Sequence, residues 1–316
     1  SVHYQRYTAD FYLTLMILRR GEGAAIEESF IENLRKLLHV LMFEMQPNGR
    51  TPLIGDDDGG RLHFFDGRPI DDLRSTLALG AALLEDPDLK FAAGEPTAEL
   101  LWLGGSRVLN TFEAVKARIP GETRKGFPES GLYSIRSGWT SRANHLLIDC
   151  GPHGFLSGGH AHADALGFIL SVDGMPVFVD SGTFSYTQDQ SARNYFRSSA
   201  AHNCLTVNGE SSSIRSGPFA WKAAATSELL EWTPSEDGAL FRGIHDGFKR
   251  FGVRYERDIY FQNKGETRIV DKIVTTVRNS IELHLILDPA ISAEILNQMT
   301  VRIRTKEGNI ELLTID

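Results

Sequence analysis

A chain of 316 residues, 41% hydrophobic and 23% charged, has the composition of a globular protein long enough for more than one core, so two domains are expected. The formal charge of −8 argues against a nucleic-acid binder, because neutralising phosphates needs a basic surface. It leaves room for an acidic sugar polymer, which a local arginine cluster can hold against an acidic background. No apolar run approaches the ~20 residues that cross a bilayer, so no transmembrane segment is expected.

Ser1 opens directly into a helical pattern, which is neither a signal peptide nor a natural start, so the chain is expected to be an excised piece of a longer protein. Tyr4, Tyr7, Phe11, Leu15 and Leu18 recur at three- and four-residue steps and predict a helix with that face buried. Gly21 and Gly23 end it. Phe30, Leu34, Leu37, Leu38, Leu41 and Met45 repeat the pattern until Pro47-Asn48-Gly49 stops it. The stretch Gly55-Asp56-Asp57-Asp58-Gly59-Gly60 is a loop by composition, expected to be solvated, with a cation site as the alternative. Two further helices are expected to start near Asp71 and Pro96, the second with proline in its first turn.

From about Phe127 the hydrophobic period changes from 3.6 to 2. Residues 131–137, 145–149, 166–172, 176–180, 202–207, 253–261, 267–275 and 281–287 are short, β-rich and separated by turn residues, which predicts an antiparallel sandwich. The expected division is therefore a helical domain over residues 1–120 and a β-sandwich over 121–316, an α+β multidomain chain. Cys150 and Cys204 cannot build a disulfide framework and are expected to be buried free thiols.

Chemistry concentrates in three histidines: the run Gly158-Gly159-His160-Ala161-His162-Ala163-Asp164, and Ala201-His202-Asn203, with Val179-Asp180-Ser181-Gly182 between them. Imidazole and carboxylate are the ligands of a borderline cation such as Zn²⁺. If residues 160–164 are extended, alternation puts His160, His162 and Asp164 on one face. A two-residue turn at Asp173-Gly174 would send Asp180 to the opposite face from His162. A site using both residues therefore requires a three-residue turn or a bulge elsewhere in the hairpin.

The runs GGHAHADALGFILSVDGMPVFVDSGTFSY and RNYFRSSAAHNCLTVNG closely resemble the central region of heparinase II/III-like polysaccharide lyases. Similarity continues weakly into YERDIYFQNKGETRIVDKI, while SVHYQRYTADFYL and IGDDDGGRL resemble the late toroid helices of alginate-lyase-like and exopolysaccharide-cluster relatives. The resemblance implies a partial (α/α) toroid packed on an antiparallel β-sandwich, with periplasmic or secreted location. It implies metal ligation by His162, Asp180 and His202, usually of zinc, and it places His160 in the substrate cleft; because elimination needs no activated water, the metal is expected to be structural.

Such a lyase cleaves a uronate-containing acidic polysaccharide, for example a glycosaminoglycan, by β-elimination. The uronate carboxylate must be neutralised, a base must remove the adjacent proton, and an acid must protonate the leaving oxygen. His160 is the candidate for carboxylate neutralisation or proton transfer. His3 and Tyr4 are candidates to complete the catalytic site from the first helix, with His3 expected to point more directly into the cleft. Arg193, Tyr195 and Arg197 are candidates for substrate binding, or, for the arginines, for structural ion pairs. The family's tyrosine from later in the toroid has no counterpart, since no tyrosine lies between Tyr12 and Tyr133. A non-catalytic glycan-binding protein and a metal-dependent hydrolase are the competing readings.

Overall fold

The computed structural model describes residues 1–65, 67–154, 156–304 and 310–314. Helices occupy the first third: α1 (Val2–Gly21), α2 (Glu28–Glu44), α3 (Arg74–Leu84), α4 (Pro87–Ala93) and α5 (Ala98–Ala114). Strands follow as β1 (Arg124–Phe127), β2 (Leu132–Arg136), β3 (His145–Asp149), β4 (Phe168–Val172) and β5 (Met175–Phe178). A short helix α6 (Gln190–Phe196) precedes β6 (Leu205–Val207), β7 (Ile214–Gly217), β8 (Ala220–Ala223), β9 (Ser227–Ser235) and β10 (Gly238–His245). The last elements are β11 (Val253–Gln262), β12 (Thr267–Thr275), β13 (Ile281–Leu283), β14 (Ser292–Asn297), β15 (Thr300–Arg304) and β16 (Ile310–Thr314). Helices followed by antiparallel sheets is the expected architecture, and the change of period placed at about Phe127 falls at the end of β1, a few residues after the first strand has begun. Among the described residues no helix is long and apolar enough to cross a membrane.

The buried face of α1 is not the expected one. Val2, His3, Arg6, Ala9, Asp10, Leu13 and Met16 are buried, whereas Phe11 and Leu18 are 52% and 59% exposed. Polar residues can face inward here because they satisfy one another against α3. Thr76 donates to Asp10 at 2.7 Å, and Arg6 Nε approaches Thr76 at 3.3 Å and Asp10 at 3.7 Å. Helix α4 was not foreseen; Asp86 caps it through the Asp88 and Leu89 amides, and Pro87 opens its first turn.

The sheet β1-β2-β3-β4-β5 has one face on the helices and the other on the sheet β12-β11-β10-β9. Strand β2 shows why both faces are covered. Tyr133 and Ile135 enter the inter-sheet core, where the Tyr133 ring lies 5.3 Å from that of Phe241. Ser134 and Arg136 turn the other way and donate to the carbonyls of Phe43 and Met45 at the end of α2, at 2.8 and 2.6 Å. One apolar cluster fills the helical part and a second fills the sandwich. Cys150 and Cys204 are buried free thiols.

The β4–β5 hairpin takes the second of the two routes to bring Asp180 to the His162 side. Its turn has two residues, Val172 pairing with Met175 across Asp173 (φ 50°) and Gly174 (φ 83°). A bulge between Leu170 and Ser171 on the register then sets Leu170 opposite Phe178, restoring the parity a longer turn would have given. Gly174 is required there, because a Cβ would sit 1.9 Å from the Ser141 carbonyl oxygen. Segment 281–287 is shorter in strand than expected, pairing with β6 over β13 and then touching β5 through a single bridge between Leu287 and Phe178.

Candidate active site and metal centre

Residues 160–164 form a turn and irregular backbone rather than a strand, so simple alternation does not orient the two histidines. Asp56 does. Its carboxylate accepts from His162 Nε2 at 2.9 Å, His160 Nδ1 at 3.1 Å and Thr183 Oγ1 at 3.2 Å. Arg193 grips it with both terminal nitrogens, Nη2 at 2.7 Å from Oδ2. Gly55 makes the approach possible: at φ 69° it lets the Asp56 amide donate to the His160 carbonyl at 3.0 Å, and a Cβ there would press within 2.9 Å of that oxygen. Burial would raise the Asp56 pKa, but hydrogen bonds and charge from His162 and Arg193 outweigh it and hold the carboxyl well below the usual range. Asp56 is therefore an anion at 0% exposure, at the centre of the site, and not part of a solvated loop.

His162, Asp180 and His202 converge, with donor atoms all within 4.8 Å of one another. His162 Nδ1 lies 3.1 Å from His202 Nε2, and Asp180 Oδ2 lies 3.6 Å from the latter. The tautomers follow from the outer partners. His202 Nδ1 faces the Ser198 carbonyl at 2.7 Å and must carry a proton, and His162 Nε2 must donate to ionised Asp56. In their neutral forms the two imidazoles would turn the inner lone pairs toward each other, 3.1 Å apart, beside a carboxylate whose pKa burial raises. A cation resolves that clash of acceptors, and an imidazole anchored through its other nitrogen is how metal-ligating histidines are usually held. Two imidazoles and a carboxylate, all buried, fit a Zn²⁺-like ion.

Structure, not local pattern, supports this group. Asn203 donates to the carbonyls of Phe168 and Val179 at 2.7 and 3.0 Å and accepts from the Ile286 amide at 2.7 Å, tying three segments together. Arg257, buried on β11, donates to the carbonyls of Leu166 and Asn203 at 2.8 and 2.7 Å while pairing with Asp271.

Beside the His162, Asp180 and His202 group, a cavity of about 510 Å³ is lined by Tyr4, His153, His160 and the glycines Gly151, Gly154, Gly158 and Gly159. The Tyr4 ring, from α1, lies 4.7 Å from that of His160, and its hydroxyl is 2.8 Å from the hydroxyl of Tyr186. Burial raises both tyrosine pKa values. Tyr186, on the loop after Asp180, stands behind Tyr4, lines a neighbouring cavity with Asp57 and Asp58, and packs on Phe219 at 5.4 Å. Nothing in the sequence pattern singled it out; its position four residues after Gly182 of the VDSG run was the available signal.

Three expectations need correction. His3 does not open into the cleft: it is buried between Asp57 and Asp58, at 3.3 and 3.4 Å, while its neighbour Tyr4 reaches the cavity. Arg193 and Arg197 do not line the cavity, and Arg193 takes the structural ion pair that was its alternative reading. Arg193 is committed to Asp56, and Arg197 donates to the carbonyls of Gly217 and Pro218, both at 2.7 Å, beneath the Trp221 ring. Tyr195 is exposed, packs edge-on against Phe196 and does not line the cavity.

Comparison with known proteins agrees with this fold. The "Heparinase II/III-like, C-terminal" family matches residues 119–315. The chain is 25% identical over 194 residues to a heparin-sulfate lyase of Bacteroides stercoris, covering 60% of this chain and 27% of that protein. It is 22% identical over 309 residues to a heparin-sulfate lyase of Bacteroides thetaiotaomicron, covering 94% of this chain and 40% of the other. A solved heparinase III superposes with a TM-score of 0.77 at 17% identity, over 99% of this chain and 44% of that one. The heparan sulfate lyase of Pedobacter heparinus gives 0.76 at 18% identity, over 99% and 44%. The chain thus spans less than half the length of these relatives.

Proposed function

This chain belongs to the heparinase II/III-like family of polysaccharide lyases, and we propose that its cleft cleaves a uronate-containing acidic polysaccharide by β-elimination. The observation that carries the reading is the meeting of Tyr4 and His160, from opposite halves of the chain, at one cavity wall. Asp56 fixes the proton of His160 on Nδ1, so Nε2 has its lone pair available to remove the proton beside the uronate carboxylate. The electron pair released forms the new double bond and expels the glycosidic oxygen. Tyr4, kept protonated by burial, supplies the proton to that oxygen, and the Tyr186 hydroxyl stands where it can reprotonate Tyr4. A positioned acid or base typically contributes ~10²- to 10⁴-fold to such a step.

His162, Asp180 and His202 would hold the cation, which when bound supplies structural cross-linking of three chain segments. In this reading Asp56 couples the two functions, since one carboxylate orients His162 and the other histidine, His160, together. Heparan-type glycosaminoglycans are the first substrates to try, given the relatives' names. The test is incubation of the full-length protein with heparan-type, alginate and other bacterial uronate polymers, following the ultraviolet absorbance of the unsaturated uronate product. New reducing ends without that absorbance would indicate hydrolysis, and binding without turnover a glycan-binding protein; either would refute the proposal.

A further inference from the structure

A second cavity, of about 260 Å³, opens between the helices and the first sheet and shares no lining residue with the cleft. Gln46, Arg68, Arg74, Glu95, Arg136 and Trp139 shape it. Arg136, on β2, is 2% exposed. Its Nη1 donates to the Met45 carbonyl at the C-terminal end of α2, and its guanidinium carbon stands 4.4 Å from the Trp139 ring centroid. Those contacts use one edge and one face of the group. The other edge is unfilled: Nε is buried without a hydrogen-bond partner, and no carboxylate pairs with Arg136 among the described residues.

A buried charge without a counter-charge is costly, and the carbonyls at a helix C-terminus supply only about half a negative charge. The neighbouring group does not help. His145, paired with Arg136 across β2 and β3, is held neutral by burial and by the guanidinium itself. Burial lowers the Arg136 pKa to about 9, so the group remains cationic at neutral pH. Arg68 and Arg74 approach Asp72 at the same cavity and add positive potential, while the Glu95 carboxylate opposes it without pairing to Arg136.

We propose that this cavity is an oxyanion-binding site, in which the free edge of Arg136 grips a sulfate or carboxylate group with Trp139 packed against the guanidinium. The volume lies just under the roughly 300–1,000 Å³ of small-molecule pockets, which suits one acidic sugar unit or a small free anion. The paired N–H groups of a guanidinium edge match two oxygens of such a group. The site lies apart from the cleft, so it stands or falls independently of the lyase reading.

The test is thermal unfolding of the full-length protein in sodium sulfate, glucuronate and glucose, each against sodium chloride at matched ionic strength. Sulfate and glucuronate should raise Tm by about 2–4 °C once several-fold above Kd, and glucose and chloride should not. A glucuronate Kd at least tenfold below that of sulfate identifies a sugar acid as the ligand; equal values identify the oxyanion alone. Arg136→Gln should weaken either affinity at least tenfold. Because that variant alters a group packed against α2 and could fail to fold, Glu95→Gln, at an exposed position, provides the second arm and should tighten sulfate binding severalfold. Equal responses to chloride and sulfate, an Arg136→Gln protein that binds like the parent, or a Glu95→Gln protein with unchanged affinity would each overturn the assignment.

Discussion

Replacing Asp56 by Asn tests the organisation of the site most directly. The substitution is nearly isosteric, but it removes a buried negative charge and turns one acceptor into a donor facing Arg193, which is itself 0% exposed. Removing one partner of a buried pair typically costs about 3–5 kcal/mol, because the other charge is stranded. At about 2–4 °C per kcal/mol for a unit of 150–250 residues, Tm should fall by roughly 6–20 °C. The acid limb should change as well. A depressed carboxyl pKa contributes stability that is present above the unfolded value of ~3.9 and is lost as pH falls toward the folded one, so the variant should unfold with a shallower dependence below pH ~4. Calorimetry across pH 2–7, with the double variant Asp56→Asn, Arg193→Met, provides the assay. The double variant should be more stable than the single one, since neither charge is then left alone. A single variant within ~1 °C of the parent, or a double variant that simply adds two losses, would refute the central role given to Asp56.

His160→Ala should remain folded and lose ~10²- to 10⁴-fold in turnover, whereas His162→Ala should lower Tm together with activity and bound metal, as read by elemental analysis and a chelator titration. Tyr4→Phe deletes one hydroxyl from a partly exposed pair, so Tm should barely move while turnover falls, and Tyr186→Phe should have the smaller kinetic effect; equal losses in Tm would mark the pair as structural. Glu44 is fully buried, and burial raises its pKa to about 8, so the stability that its neutral form contributes is complete below pH ~4.3 and is lost as pH rises through about 8. Glu44→Gln should flatten the fall in Tm over that window, and an unchanged slope would show that Glu44 is not its source.

The order of helices followed by strands was determined by the sequence alone, because hydrophobic period is a local property that each segment carries by itself. His162, Asp180 and His202 were singled out by residue type together with the family resemblance, and the structure gathers them into a buried group that could hold a cation. Even the hairpin was narrowed to two solutions by parity, although a bulge within β4 and β5 could not be chosen without the neighbouring segment at Val179 and Ile286. What only the tertiary structure decided was the polar interior. Asp56 looks solvated among glycines and aspartates until residues 104 to 137 positions away, His160, His162 and Arg193, close over it. Arg193 and His3 look available for substrate until their carboxylate partners are known. The face of α1 was misjudged for the same reason: Arg6 and Asp10 go inside because Thr76 on α3 meets them there, leaving Phe11 and Leu18 outside. A buried polar group is stable only with a specific partner, and partners distant in sequence leave no periodic trace.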